Sequence, residues 1–214
     1  MARSLKKLIA AVFCLVLLFE LSSCSVNTKS AEQTGFSMGS LVGIKLYGKN
    51  SEALENANLL AEVVKTDERI SKNYEGSDIY RVNSSGEHGE TVSSETYDEL
   101  RTVCDVYSDS HGKAAALSGA LTELWGFDTD EFRLPSEDEI LSAKEKCGDD
   151  KLIFDDGKKV YIPDGAKLNL GSAGKGIALD EAVKRIDEIN SQGGKITGAV
   201  ISCLLYTSDA ADEL

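Results

Sequence analysis

The chain has 214 residues, 42% hydrophobic and 28% charged, a balance that supports a folded domain with a sizeable core and excludes a wholly disordered chain. Its 36 acidic residues outnumber 23 basic ones, giving a formal net charge of -13. That surplus excludes nucleic acid as a partner, because binding there needs a positive surface that displaces counterions. An anionic ligand must instead meet local compensation from backbone N–H groups, a lysine or a metal.

In chain order, Arg3, Lys6 and Lys7 precede the apolar run Leu8–Phe19, which is too short for a comfortable bilayer span, and Leu21-Ser22-Ser23-Cys24 follows. This order resembles a bacterial lipoprotein signal. Residues 1–23 are expected to be removed and Cys24 to be lipidated, anchoring the protein to the membrane outside the cytoplasm, in the periplasm or on the outer face. Residues 24–34 are polar and read as a tether. Met38 to Tyr47 has rough apolar alternation and reads as a strand. Ser51 to Ser71 reads as one helix, with Leu54, Ala57, Ala61 and Val64 at steps of three and four.

The polar stretch Ser71–Glu90 reads as a loop carrying Tyr74, Ile79 and Tyr80. A helix over Glu95–Ser108 puts Tyr97, Leu100, Cys104 and Tyr107 on one side, and His111–Phe127 is expected to be helical in its second half. Pro135-Ser136-x-x-Glu139 is a capping-box signature for a helix to about Lys146. Lys151–Ile162 holds two short β-type runs around Asp156-Gly157, a hairpin signal. Ile177–Asn190 reads as a helix ended by Gly193-Gly194, and Gly198–Ser202 as a buried strand. From Cys203 the sequence CLLYTSDAADEL completes no element, and 203–214 reads as a non-native tail of the kind that adapter read-through adds. Helices and strands mix without a regular βαβ repeat, which predicts an α+β domain over 35–202. No Cys/His spacing suggests zinc. Cys104 and Cys147 could pair in an oxidising compartment, although Cys104 reads as core.

One stretch suggests chemistry. Leu168–Asp180 reads LNLGSAGKGIALD, with Gly171, Gly174 and Gly176 around Lys175. The spacing G-x-x-G-x-G is not the dinucleotide-binding G-x-G-x-x-G, and Asn169 and Gly176 stand where a Walker A loop needs glycine and Ser or Thr. The physical ingredients of an anion site are still present: glycines that let backbone approach a ligand, a helix N-terminus and a full positive charge. A tight turn with a solvated lysine would use the same residues.

Further landmarks fall in order along residues 35–201: Met38-Gly39-Ser40; Ile70-Ser71-Lys72-Asn73-Tyr74 with Ser77-Asp78-Ile79-Tyr80-Arg81-Val82-Asn83; Ser110-His111-Gly112; Leu124-Trp125-Gly126-Phe127; and Leu170–Gly176 with Asp180. Together they resemble the N-terminal two thirds of the ApbE-type flavin transferases. The resemblance implies a magnesium-dependent enzyme that cleaves FAD, releases AMP and joins FMN to a threonine of an acceptor protein, such as a respiratory redox subunit or an extracellular FMN-binding domain protein.

By the same resemblance Met38, Tyr74, Lys113, Ala114, Ala115, Asn169 and Lys175 would contact FAD, and the Ser172 carbonyl would bind magnesium. Asn169 and Ala115 stand where the family usually has aspartate, which removes charge at both edges. Trp125 is expected in the core and Asp180 either as a landmark or as a solvated helix residue. His88 and His111 read as surface residues, and no catalytic residue is assigned to this chain. The family's remaining metal ligands, an Asp and a Thr, are expected in a final third beyond this sequence, so the chain as written is expected to bind magnesium poorly and to be inactive. FAD hydrolysis to FMN and AMP, or flavin binding without catalysis, are the alternative activities.

Overall fold

The computed structural model describes residues 28–203 apart from 128 and 130. The signal reading, Cys24 and residues 204–214 lie outside the described residues. Strand β1 (Lys29–Ser37) and strand β2 (Ser40–Gly48) form an antiparallel hairpin, and β6 (Ile196–Ser202) pairs antiparallel with the other edge of β2. Residues 29–34, expected in the tether, thus belong to an edge strand: they are polar because most of them face solvent, while their backbone bonds to β2. Along β2 the side chains alternate, with Val42, Ile44 and Leu46 buried and Leu41 exposed, as a sheet with one covered face requires.

The expected helix over 51–71 is two helices, α1 (Ser51–Glu55) and α2 (Leu59–Ile70), broken where Asn58 takes a left-handed φ of 50°; asparagine tolerates that conformation better than most residues. The expected loop 71–90 contains α3 (Asp78–Ser85), a 3-10 turn (Gly86–His88) and β3 (Glu90–Thr91). Ser77 caps α3 by accepting the Tyr80 amide at 2.9 Å, and Ile79 and Val82 are buried. Then come α4 (Ser94–Asp109), α5 (Gly119–Leu124) and α6 (Glu137–Lys144), the last opened by the expected capping box at Ser136 and Glu139.

Strands β4 (Ile153–Phe154) and β5 (Lys159–Tyr161) make the expected hairpin, and β3 joins it as a second small antiparallel sheet in the order β3-β5-β4. Its left-handed residue is Lys158, not Gly157, and the Asp155 carboxylate organises the turn by accepting the Gly157 and Lys159 amides at 2.9 and 3.0 Å. Helix α7 (Gly174–Ser191) precedes β6. Strand β6 is an edge rather than a buried strand: Val200 is 59% exposed. Cys203, assigned to the tail, is buried, and its carbonyl accepts the Ser40 hydroxyl at 2.7 Å. Cys104 and Cys147 are free thiols.

Two apolar clusters form the core. One gathers Ile70, Ile79, Leu100, Leu168 and Ile177; the other gathers Val42, Leu46, Leu59, Val63 and Ala178. Helices α2 and α7 contribute to both, and Met38 packs against both.

Candidate functional site

The site forms at the seam between those clusters. Asn83, in the last turn of α3, donates from Nδ2 to the Leu168 carbonyl at 3.0 Å and accepts the Leu168 amide at 2.7 Å. The Asn169 amide donates to the Ala116 carbonyl at 2.7 Å. These bonds fix residues 168–169 as the approach to the glycine turn. Asn169 then bends the chain: its Oδ1 accepts the Gly171 amide at 2.9 Å, an Asx-type turn, and its Nδ2 donates to Thr122 Oγ1 at 3.1 Å. The Ala173 and Gly174 amides both donate to the Leu170 carbonyl, at 3.0 and 2.6 Å.

Helix α7 starts at Gly174, earlier than the apolar periodicity suggests, so Gly174 and Gly176 sit in its first turn. A Cβ at Gly174 would meet Ile70 Cδ1 at 3.2 Å, which shows how closely α7 packs on α2. The N-cap residue Ala173 supplies no side-chain cap and the first turn has no acid. Among the described residues no acceptor meets the Lys175 or Gly176 amide. The positive end of an 18-residue helix is therefore left for an external anion, with Lys175 beside it.

Opposite stands the β1–β2 turn. Met38 (φ 51°) and Gly39 (φ 68°) are both left-handed, a conformation that costs a non-glycine residue about 1–2 kcal/mol. The Met38 amide donates to Asp67 Oδ2 at 2.6 Å and the Ser37 hydroxyl to the same oxygen at 2.9 Å. Between the turn and α7 lies a cleft of about 180 Å³, with Ile70 and Leu170 as its apolar lining and Asp67, Lys72 and Lys175 as its charged groups. One larger hollow, of about 270 Å³, lies at the C-terminal end of α7, where the helix dipole disfavours an anion; two others are larger still, about 800 Å³ beside α5 and α6 and about 520 Å³ between α4 and α7. Acidic residues line both, including Glu123, Glu131 and Asp138 in one and Glu95, Asp98 and Glu181 in the other. Their charge repels a nucleotide, so the small cleft is the better anion site.

Met38, Asn169 and Lys175 are brought together in this cleft. Ser172 is exposed one residue past the lining Gly171, and Tyr74 is 55% exposed, two residues past Lys72. Lys113, Ala114 and Ala115 do not line it. They run into a clamp in which Asp149 accepts the Ala116 and Leu117 amides at 3.0 and 2.6 Å. Burial pushes the Asp149 carboxyl above its ordinary value, and those two amides partly offset the shift. Asp180 is exposed and lines the acidic groove between α4 and α7. Trp125 is half-buried outside both core clusters, stacked on Phe127 at 6.0 Å; it lies at the end of a short helix where there is no core to enter. His88 and His111 are exposed.

Asp67 stood outside every sequence landmark, while Lys72 and Asn83 lay inside landmarks without an assigned role. Asp67 is one of several acids on α2, and spacing alone does not separate it from solvated neighbours. Asn83 lay inside a recognised landmark, and that was its available signal. Among the described residues no group of three or more His, Cys, Asp or Glu could hold a metal ion. The Ser172 carbonyl meets no described donor, but it offers one oxygen where magnesium takes six. These residues alone do not compose a magnesium site.

The ApbE family model matches residues 38–201, and the chain belongs to that family. It is 21% identical over 200 residues to an FAD:protein FMN transferase of Haemophilus influenzae, covering 88% of this chain and 58% of that protein. The ApbE protein of Thermotoga maritima has a similar structure, with a TM-score of 0.70 at 24% identity, covering 82% of this chain and 57% of that one. The flavin transferase ApbE of Vibrio cholerae gives 0.65 at 22% identity, covering 82% and 57%. The fold is therefore the α+β fold of the ApbE flavin transferases, and this chain spans less than two thirds of those relatives' length.

Proposed function

We propose that this chain is the flavin-dinucleotide-binding part of an FAD:protein FMN transferase. The supporting observation is the cleft in which the uncapped N-terminus of α7 and Lys175 face the left-handed Met38 turn. Ligand pockets span about 300–1,000 Å³, so a cleft of about 180 Å³ suits the diphosphate and an adjoining portion rather than all of FAD. The rest would extend over the rim past Ser172 and Tyr74, with residues 113–115 at a further edge.

In the proposed reaction a threonine hydroxyl of the acceptor attacks the FMN-side phosphorus. The bond from that phosphorus to the AMP oxygen breaks, AMP leaves with the oxygen, and the hydroxyl proton is released. Such chemistry depends on positioning and charge stabilisation. The residues described here would contribute N–H groups and the Lys175 ammonium to the diphosphate. Magnesium, when bound, would be met by the Ser172 carbonyl and would offset negative charge on the diphosphate. Lipidation at Cys24 would hold the protein at the membrane beside extracytoplasmic acceptors; labelled palmitate incorporated by the unaltered chain and absent from Cys24→Ala tests that part.

The activity test incubates the full-length protein with FAD, magnesium and an acceptor domain. Flavin fluorescence on the acceptor band of a denaturing gel supports transfer. AMP release without that band points to hydrolysis. FAD binding with neither product identifies a non-catalytic flavin protein, the reading that Asn169 and Ala115 favour.

A further inference from the structure

We propose that Asp67 is a positioning residue of this site: it holds the Met38 backbone in its left-handed conformation and so sets the wall of the cleft opposite Lys175. The proposal rests on the flavin reading for the identity of the ligand. Its own basis is geometric. Met38 is not glycine, yet its φ is 51°, a value that persists only where the surroundings over-determine it. The β1–β2 pairing closes on Ser37 and Ser40, and a two-residue hairpin loop favours a turn with positive φ at its first position, which methionine adopts less readily than glycine or asparagine. Asp67 Oδ2 anchors that turn from outside the hairpin, accepting the Met38 amide at 2.6 Å and the Ser37 hydroxyl at 2.9 Å, side by side.

Asp67 lies on α2, one turn before Ile70, whose Cδ1 is the atom Gly174 packs against. One rigid helix therefore sets the position of both walls, the Met38 turn through a carboxylate and the start of α7 through a methyl group. The carboxylate also suits a site for an anion, because its charge is spent on two donors instead of facing the ligand alone. Without it the Met38 amide would turn toward solvent, and the side chain that packs against both core clusters would lose its fixed direction.

The test uses the whole chain, with FAD affinity read from flavin fluorescence and exchange of the Met38 amide read by hydrogen–deuterium exchange. Asp67→Ala, a good helix former, is expected to weaken FAD about tenfold, the effect of losing a charge-assisted hydrogen bond, and to speed exchange at Met38. Asp67→Asn keeps one acceptor oxygen and should recover most of the affinity. In a Met38→Gly background, where positive φ costs nothing, Asp67→Ala should weaken FAD no further, whereas a general loss of structure would carry through both backgrounds and lower the melting temperature. Equal losses in the two backgrounds, or full affinity in Asp67→Ala, overturn the inference. If the unaltered chain takes up no FAD, the flavin reading fails by itself. Exchange at Met38 then decides this point: faster exchange in Asp67→Ala supports it and unchanged exchange overturns it.

Discussion

Lys175 carries a full positive charge in the first turn of α7, and its effect should be separable from the fold. It is half-buried at the cleft rather than part of either core cluster, so Lys175→Ala should leave the melting temperature nearly unchanged. FAD affinity, read by fluorescence titration, should fall about tenfold or more, because hydrogen bonds to charged groups contribute roughly 1.5–3 kcal/mol. Cys104 illustrates the opposite case, a reactive group made inert. Burial, then the nearby Asp149 and Asp105, push its thiol up to about 11. At pH 8 only about one molecule in a thousand would carry the thiolate, so alkylation at Cys104 should run roughly a hundredfold slower than for a free peptide cysteine. Mass spectrometry of the labelled protein reads that rate, and labelling at the free-peptide rate would refute the environment described.

At the scale of elements, the charge network between α3 and α4 explains one sequence landmark. Asp78 accepts the Ser93 amide and hydroxyl at 3.1 and 2.6 Å and Arg81 Nη2 at 2.6 Å. Burial alone would raise its carboxyl, but these bonds and one from Thr96 outweigh it and hold the group below its ordinary value of 3.8. The unfolded chain therefore binds this proton more readily. The stabilisation is complete above pH 3.8 and is lost as pH falls through the lower folded value. Asp78→Asn should lower the melting temperature at pH 7 and flatten its decline below pH 4; parallel curves for the two proteins would contradict this. In β2, Leu46 is 1% exposed, and Leu46→Ala should cost about 2–5 kcal/mol in denaturant unfolding.

Elements with a period and a cap were legible in the sequence: α4, the Ser136 capping box and the end of α7 just before Gly193. Those set by tertiary partners were not. Helix α3 hid in a polar stretch because its apolar side is only Ile79 and Val82, and β1 hid because an edge strand needs few apolar residues. Strand β6 read as buried because an apolar run looks the same at a sheet edge as at its centre. Within the site, glycines and Lys175 were visible as residue types, while Asp67 acts through a contact 29 positions away in sequence that no local pattern contains.

For the molecule as a whole, a net charge of -13 sets the problem that the cleft addresses. A nucleotide approaching this surface is repelled almost everywhere, and the acidic grooves beside α4 and α6 add to that. Binding should therefore strengthen with salt at low ionic strength, as screening weakens the long-range repulsion faster than the contacts at α7. An isothermal titration series in sodium chloride checks that sign, and affinity that falls steadily with salt would indicate a basic surface the fold does not show.

In the proposed complex the bend from Gly171 to Gly176 meets the ligand's diphosphate. Hydrogen–deuterium exchange of the whole chain with FAD and magnesium, against the chain alone, tests it most directly. Slowed exchange is expected at the Lys175 and Gly176 amides and at the Met38–Gly39 turn. Slowed exchange confined to the hollows beside α5 or α4, with those amides unaffected, would contradict it.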